Sequence, residues 1–327
     1  MMIGNTGLDV TRIGLGCATL GDLWENTPDS QAIATVEAAY DAGIRFFDTA
    51  PWYGMGKSEL RLGFGIRDKP NAVIATKVGR VLHRGGTLEW ASKWKGGLPF
   101  DLRFDYTRDG VMRSFEDSLQ RLGMPRVHAL AIHDLDLLYH QTWDAVEARF
   151  DELDEGGGHR ALCELKSAGD VQAIGAGINR TGLIPRFLER FKLDYFLVAM
   201  PYTLLSQEGL AELDQCRAQG VSVIIGAPFA SGMLANRANS TYDYAPGSAE
   251  MQQKAACLDA CCARHGVALP AAALQFVLKH PAVVSVIPGA NSAAQVRQCV
   301  EYLDHPIPAD LWADLKREKL IVADAPV

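Results

Sequence analysis

No run in the 327-residue chain approaches the roughly 18 apolar residues that a membrane-spanning helix needs. The amino terminus, MMIGNTGLDVTRIG, has neither the basic nor the apolar segment of a secretory signal. A cytoplasmic protein with no membrane partner is the expectation. Positive charge is also short, 32 Lys and Arg against 39 Asp and Glu, for a net charge of −7. That balance gives no electrostatic footprint for nucleic acid or for an anionic membrane surface. Cysteine is present without a pattern, at positions 17, 163, 216, 257, 261, 262 and 299. The number is odd, no Cys-x-x-Cys occurs, and no paired histidine spacing accompanies it, so neither a disulfide framework nor a zinc site is expected. Residues 257, 261 and 262 have helical spacing and read as packing, with an oxidation-sensitive pair as the alternative. No linker or composition shift divides the chain. One domain over residues 1–327 is expected, with apolar content ample for a large core.

What the chain does have is a rhythm. Short runs rich in Val, Ile, Leu and Phe recur at 13–16, 44–48, 73–77, 127–133, 173–178, 195–200, 221–226 and 283–288. They lack strict alternation, as strands buried on both faces do. Helical patterns lie between them. Pro28-Asp29-Ser30 opens one that stops before Gly43, and residues 107–122 carry an apolar stripe ended by Gly123 and Pro125. Further helices are expected at 210–218, 248–264, 270–279 and 292–303. Eight strands alternating with helices point to a parallel sheet closed as a (β/α)8 barrel, with a doubly wound open sheet as the alternative. A hairpin around Asn5-Thr6-Gly7 would plug one end. Residues 83–106, 140–159 and 230–247 read as long loops, and long loops in compact domains are usually functional or mobile.

The segment IRFFDTAPWYG, residues 44–54, organises the chemistry. Asp48 closes an apolar strand, where a carboxylate is costly without a partner. Tyr53 follows in the loop, Lys77 ends the next strand and His133 the fourth. At the mouth of a barrel these four would form a proton-transfer unit. A tyrosine titrates near 10, so an ammonium beside Tyr53 should lower its pKa, with Asp48 holding Lys77 charged. His133 could hydrogen bond a substrate oxygen. Taken singly, each residue could equally be structural.

FFDTAPWYG, the ATK of residues 75–77, the IHD of residues 132–134, IGLGCATLG and IPGANSAAQV together resemble the aldo-keto reductase family, and the likeness runs the length of the chain. The resemblance implies a (β/α)8 barrel and metal-free hydride transfer between a nicotinamide cofactor and a carbonyl or alcohol. It places the family's catalytic tetrad on Asp48, Tyr53, Lys77 and His133, with Tyr53 the acid in reduction and the base in oxidation. It lays a cofactor groove along Gly16, Cys17, Ala18, Asp48 and Asn179, the last toward the carboxamide. Tyr202 would stack on the nicotinamide ring, and Ala199 or Met200 stands where a glutamine is usual. Ala227, Phe229, Ser231 and Gly232 would wrap the pyrophosphate. Pro288, Gly289, Asn291 and Gln295 follow the last strand. Where NADP-preferring members carry cations, this segment has none, and Arg297 is displaced. NAD is the expected cofactor, because a 2′-phosphate without charge-assisted partners is poorly held.

Within the family, GLPFDLRFDYTRDGVMRSFEDSLQRLG at residues 97–123 together with IHDLD at residues 132–136 resembles a bacterial branch of L-fucose (D-threo-aldose) 1-dehydrogenases and pyridoxal 4-dehydrogenases. That implies oxidation of an anomeric hydroxyl to a lactone, with pyridoxal or a general aldehyde as the other substrate classes. Trp24 and Trp52, joined by Trp90 and Trp94, could stack on a sugar face or a pyridine ring, and His133 could contact the substrate. A non-catalytic barrel that binds nicotinamide is the alternative of another class.

Overall fold

The computed structural model describes residues 1–23, 25–85, 93–235 and 247–327. In chain order its strands are β1 (Leu15–Gly16), β2 (Phe46–Asp48), β3 (Val73–Val78), β4 (Arg80–Arg84), β5 (Phe100–Phe104), β6 (Ala129–His133), β7 (Ala173–Ile178), β8 (Tyr195–Ala199), β9 (Ser222–Gly226) and β10 (Val283–Ile287). Eight of them pair in parallel in the order β1-β2-β3-β6-β7-β8-β9-β10, while β4 and β5 form a separate antiparallel ribbon. Parallel bridges from Ile13 to Val286 and from Gly16 to Gly289 bring β1 back against β10. The backbone N–H of Gly14 donates to Val286 O at 2.9 Å and that of Gly16 to Pro288 O at 3.0 Å. The expected (β/α)8 barrel is the fold observed.

The strands carry few polar residues because both faces are covered. β3, β6, β7 and β9 are buried along their whole lengths. Inside the barrel, Phe46, Val73, Ala75, Ala129, Ala131, Tyr195, Leu197 and Ile224 form one cluster with Ile3, Leu8 and Val10 from the amino terminus. That terminal segment is a minimal hairpin, with Met2 bridged to Asp9 and the Ile3 N–H donating to Leu8 O at 2.9 Å. Gly4 N donates to the Ser222 hydroxyl at the start of β9. The hairpin therefore plugs the end of the barrel where the strands begin, and the opposite mouth is left for chemistry.

Two of the three expected long loops carry secondary structure among their described residues. Residues 140–159 contain the helix Trp143–Asp154, started by the Thr142 side chain accepting from Ala145 N and buried through Val146, Phe150 and Leu153. The segment 83–106 returns as β5 against β4, and its residues 86–92, including Trp90, lie outside the described residues, as do 236–246 of the third loop. No described helix is long and apolar enough to cross a membrane.

Candidate active site

Strand parity delivers the polar residues to the mouth. Side chains two apart on a strand share a face, so Asp48 follows Phe46, Lys77 follows Ala75, and His133 follows Ala131, each continuing the inward-facing row of the barrel interior. Lys77 is in register with Ala131, and His133 with Gly177. The turn after β2 then brings Tyr53 over them. Its N–H donates to Ala50 O, its carbonyl accepts from Ser58 N, and the following residue, Gly54, has φ +64°. A Cβ on Gly21 would sit 2.5 Å from the Tyr53 carbonyl carbon, and one on Gly54 the same distance from Gly21 O. Only glycine at both positions lets these two backbones touch, and that contact fixes the height of Tyr53.

The four residues meet. Lys77 Nζ donates to Asp48 Oδ1 at 2.6 Å, to Thr49 O at 2.8 Å and to the Tyr53 hydroxyl at 3.1 Å. The Tyr53 and His133 rings stand edge to face with centroids 5.8 Å apart. Burial pushes the Asp48 carboxyl up, and the Lys77 ammonium opposes it. Burial, then Arg80 and Lys77, push His133 well below the ordinary imidazole range, so its ring is neutral. The expected depression of Tyr53 is not found. Burial, then the charges of Asp48 and Asp134, push the phenol well above its ordinary value. Desolvation and the two carboxylates outweigh the Arg80 guanidinium, which pulls the other way, and Tyr53 is held as a protonated phenol. Asp48 Oδ2 and His133 Nδ1 are buried without a hydrogen-bond partner among the described residues, which marks polarity kept for an incoming molecule.

Around this centre runs a cavity of about 640 Å³, in the range of small-molecule and cofactor sites. It is lined by Gly16, Cys17, Ala18, Asn179, Ala227, Phe229, Ser231, Gly232, Gly289, Asn291 and Gln295, all expected from the sequence. Ala199 lines it as well, whereas Met200 is buried with φ +81°. Pro288 is buried and gives its carbonyl to Gly16, closing the barrel instead of lining the cavity. Tyr202 is a correction. It is fully buried, stacked on Phe276 with centroids 5.4 Å apart and edge-on to His280, so it faces the core and no ring of a ligand. Trp52 lines the cavity, but Trp94 packs behind it, buried, with centroids 5.3 Å apart. Trp24 lies outside the described residues.

Sequence reading passed over Asp134, Thr19, Glu25, Leu197 and Ile287, which also line the cavity. It passed over Arg80 too, which is fully buried behind it. Asp134 could have been noticed, since it follows His133 directly.

The donor set fits an extended dinucleotide. Both Nδ2 hydrogens of Asn179 are spent on Asp134 and Asp136 at 2.8 and 2.9 Å, which leaves Oδ1 as an acceptor suited to an amide. The loop after β9 holds Ala227, Ala230 and Ser231 in left-handed backbone, strain of the kind stored at ligand contacts. Beyond Gly289 the described lining offers Glu25, Asn291 and Gln295, and its one lysine or arginine is Lys77.

Comparison with known proteins identifies the family. The model of the aldo/keto reductase family matches residues 12–318. A pyridoxal 4-dehydrogenase of Microbacterium luteolum is 42% identical over 98% of this chain and 97% of its own. A D-threo-aldose 1-dehydrogenase of a Pseudomonas species is 36% identical over 96% of both chains. Among solved structures, an aldo-keto reductase from Bacillus halodurans superposes with a TM-score of 0.78 at 22% identity, covering 99% of this chain and 97% of that one. The last of these is a likeness of fold. The family match and the two sequence relatives carry more, and on them the chain belongs to the aldo/keto reductase family, an oxidoreductase that uses a nicotinamide cofactor.

Proposed function

We propose that this enzyme oxidises the C1 hydroxyl of an aldose, such as L-fucose or another D-threo-aldose, to the lactone with NAD as cofactor. The observation that carries the reading is the contact of Lys77 Nζ with both Asp48 Oδ1 and the Tyr53 hydroxyl inside the cavity. Asp48 holds Lys77 charged and aimed, Lys77 stabilises negative charge on the Tyr53 oxygen, and neutral His133 orients the substrate oxygen. In oxidation Tyr53 takes the hydroxyl proton, and in reduction it gives one back. Hydride exchange at the substrate carbon is the chemistry a bound nicotinamide supplies. Gly16, Cys17, Ala18 and Asn179 would hold that end, and Ala227, Phe229, Ser231 and Gly232 the pyrophosphate.

The preference for NAD rests on the far end of the groove. Glu25, Asn291 and Gln295 can hydrogen bond a ribose hydroxyl, but no described cation there meets a 2′-phosphate, and Glu25 would repel one. Arg297 is exposed and does not line the cavity.

Pyridoxal is the second reading, favoured by the pyridoxal 4-dehydrogenase relative, which is the more similar of the two named above. The two substrates share a reaction, since pyridoxal forms an internal hemiacetal whose oxidation also gives a lactone. Trp52 suits either a sugar face or a pyridine ring. Initial rates of NADH and NADPH formation with L-fucose, D-arabinose and pyridoxal separate the readings. Turnover of the sugars with NAD supports the first, and turnover confined to pyridoxal replaces it with the second. No turnover of any of the three would overturn both.

A further inference from the structure

One carboxylate beside the centre has more partners than a surface residue would. Asp134 follows His133 at the end of β6 and sits in left-handed backbone, φ +49°, which an aspartate adopts at some cost. Its Oδ2 lies 3.3 Å from His133 Nε2 and accepts from Arg80 Nη2 at 2.6 Å. Its Oδ1 accepts from Asn179 Nδ2 at 2.8 Å. Arg80, on β4, has no exposure to solvent. Its guanidinium carbon lies 4.0 Å from the centre of the Trp52 ring, 4.1 Å from that of Tyr139 and 5.0 Å from that of Phe104. A guanidinium enclosed by three aromatic rings loses its hydration, and such a cation is retained only against a strong counter-charge.

Resting on the reading of the site given above, we propose that Asp134 and Arg80 are its positioning residues. Asp134 is the bracket that keeps His133 and Asn179 in register. Burial already disfavours a charged ring, and Arg80 is the buried counter-charge that keeps this carboxylate from offsetting that and turning His133 into a cation.

The charges that face His133 make the need clear. Asp48 on β2 and Tyr53 in the turn after it lie on one side, Lys77 on β3 on another, and Arg80 on β4 behind Asp134. The Tyr106 hydroxyl donates to the His133 carbonyl at 2.8 Å, with His140 Nε2 3.4 Å from that hydroxyl. Asp136, two residues further along, takes its hydrogen bonds from Asn179 and Leu138 and makes none with the ring. Asp134 is thus the carboxylate in contact with the imidazole. Without Arg80 it would be an uncompensated negative charge 3.3 Å from a ring nitrogen, and an opposite charge that close raises an imidazole pKa by about one to three units. A cationic His133 would hold a substrate oxygen differently and add positive charge beside the carbon that must release hydride.

The test is the ring titration of His133 by NMR, assigned by comparison with His133→Gln, in the full chain between about pH 5 and 8, the window around the ordinary imidazole value. Wild type and Arg80→Lys, which keeps the charge, are expected to show no titration of this ring. Arg80→Gln should show one with a midpoint inside the window, and Arg80→Gln/Asp134→Asn should lose it again. Arg80→Met, which keeps the apolar stem against Trp52 and Tyr139, is the second neutral replacement should the glutamine variant not fold. In parallel, the acid limb of kcat/KM should move up by about one pH unit or more in the neutral variants and return in the double variant. Unchanged titration of His133 in both neutral replacements would overturn the proposal, because a purely structural Arg80 would lower stability without adding an ionisation. The ring titration is read without substrate, so its failure is distinct from failure of the aldose reading, which shows in the turnover of the wild-type enzyme.

Discussion

At the scale of single residues, the balance between burial and pairing decides what each charge is worth. Lys77 and Asp48 are both about 2% exposed and 2.6 Å apart, so removing one strands the other away from water. Asp48→Asn is expected to cost about 3 kcal/mol or more in urea denaturation, the range for breaking a buried pair. Asp29→Asn removes a partner of Arg61 that is 74% exposed, and it should cost under about 1 kcal/mol in the same experiment. Asp136 gives a pH signature. Burial, then the charge of Asp134, push its carboxyl up to about 6, against about 3.9 in an unfolded chain. Between those values the folded state binds more protons, so the stability this group contributes is present at low pH and lost as pH rises through about 6. Asp136→Asn should flatten that fall, which melting temperatures at pH 4.5, 6 and 7.5 would show. Asp48, Lys77 and His133 were legible because each stands at the end of a barrel strand, where parity turns it into the mouth, and Tyr53 because it follows Asp48 in the next turn. Asp134 lay in plain view beside His133, but Arg80 was not legible, since nothing in the sequence reveals that a guanidinium sits under Trp52.

At the scale of elements, several went unread for a physical reason. The helix Lys57–Ile66 contains Gly63 and Gly65, which lower helix propensity by about 1 kcal/mol each. A Cβ on Gly63 would lie 2.1 Å from Leu122 O, so the glycine serves close packing against the neighbouring helix. The segment 140–159 reads as a long loop because Val146, Phe150 and Leu153 are sparse among charges, yet it holds the helix Trp143–Asp154. Motif position alone places Tyr202 in the groove, while its ring packs on Phe276. The contact of Gly21 with Gly54 supplies a prediction at this scale. Gly21→Ala forces two backbones apart beside Tyr53, with an expected cost of about 1–3 kcal/mol for overpacking. Activity should fall by more than the lost folded fraction explains, because Tyr53 moves relative to Lys77. Comparing kcat per folded molecule with the melting temperature checks this.

At the scale of the whole molecule, the barrel separates stability from chemistry. The alternation of buried strands and helices made the fold legible, because eight runs without strict polar alternation have few other ways to be covered. The plug is the far end of that arrangement. Ile3→Ala should destabilise the protein by about 2–4 kcal/mol through the lost burial and the cavity it leaves, and it should leave KM and kcat unchanged below the melting temperature. At the mouth, the raised pKa of Tyr53 means that the base needed for oxidation forms only as pH rises. The oxidation rate should therefore still be climbing at about pH 9, below the ordinary phenol value. The proposed role of Tyr53 is to move the proton in a site already built by Asp48, Lys77 and His133. Its most direct test is kcat and cofactor affinity of Tyr53→Phe beside wild type. The expected result is a loss of about 10²- to 10⁴-fold in kcat with cofactor affinity nearly unchanged. A variant that keeps its turnover within a few-fold of wild type would contradict it.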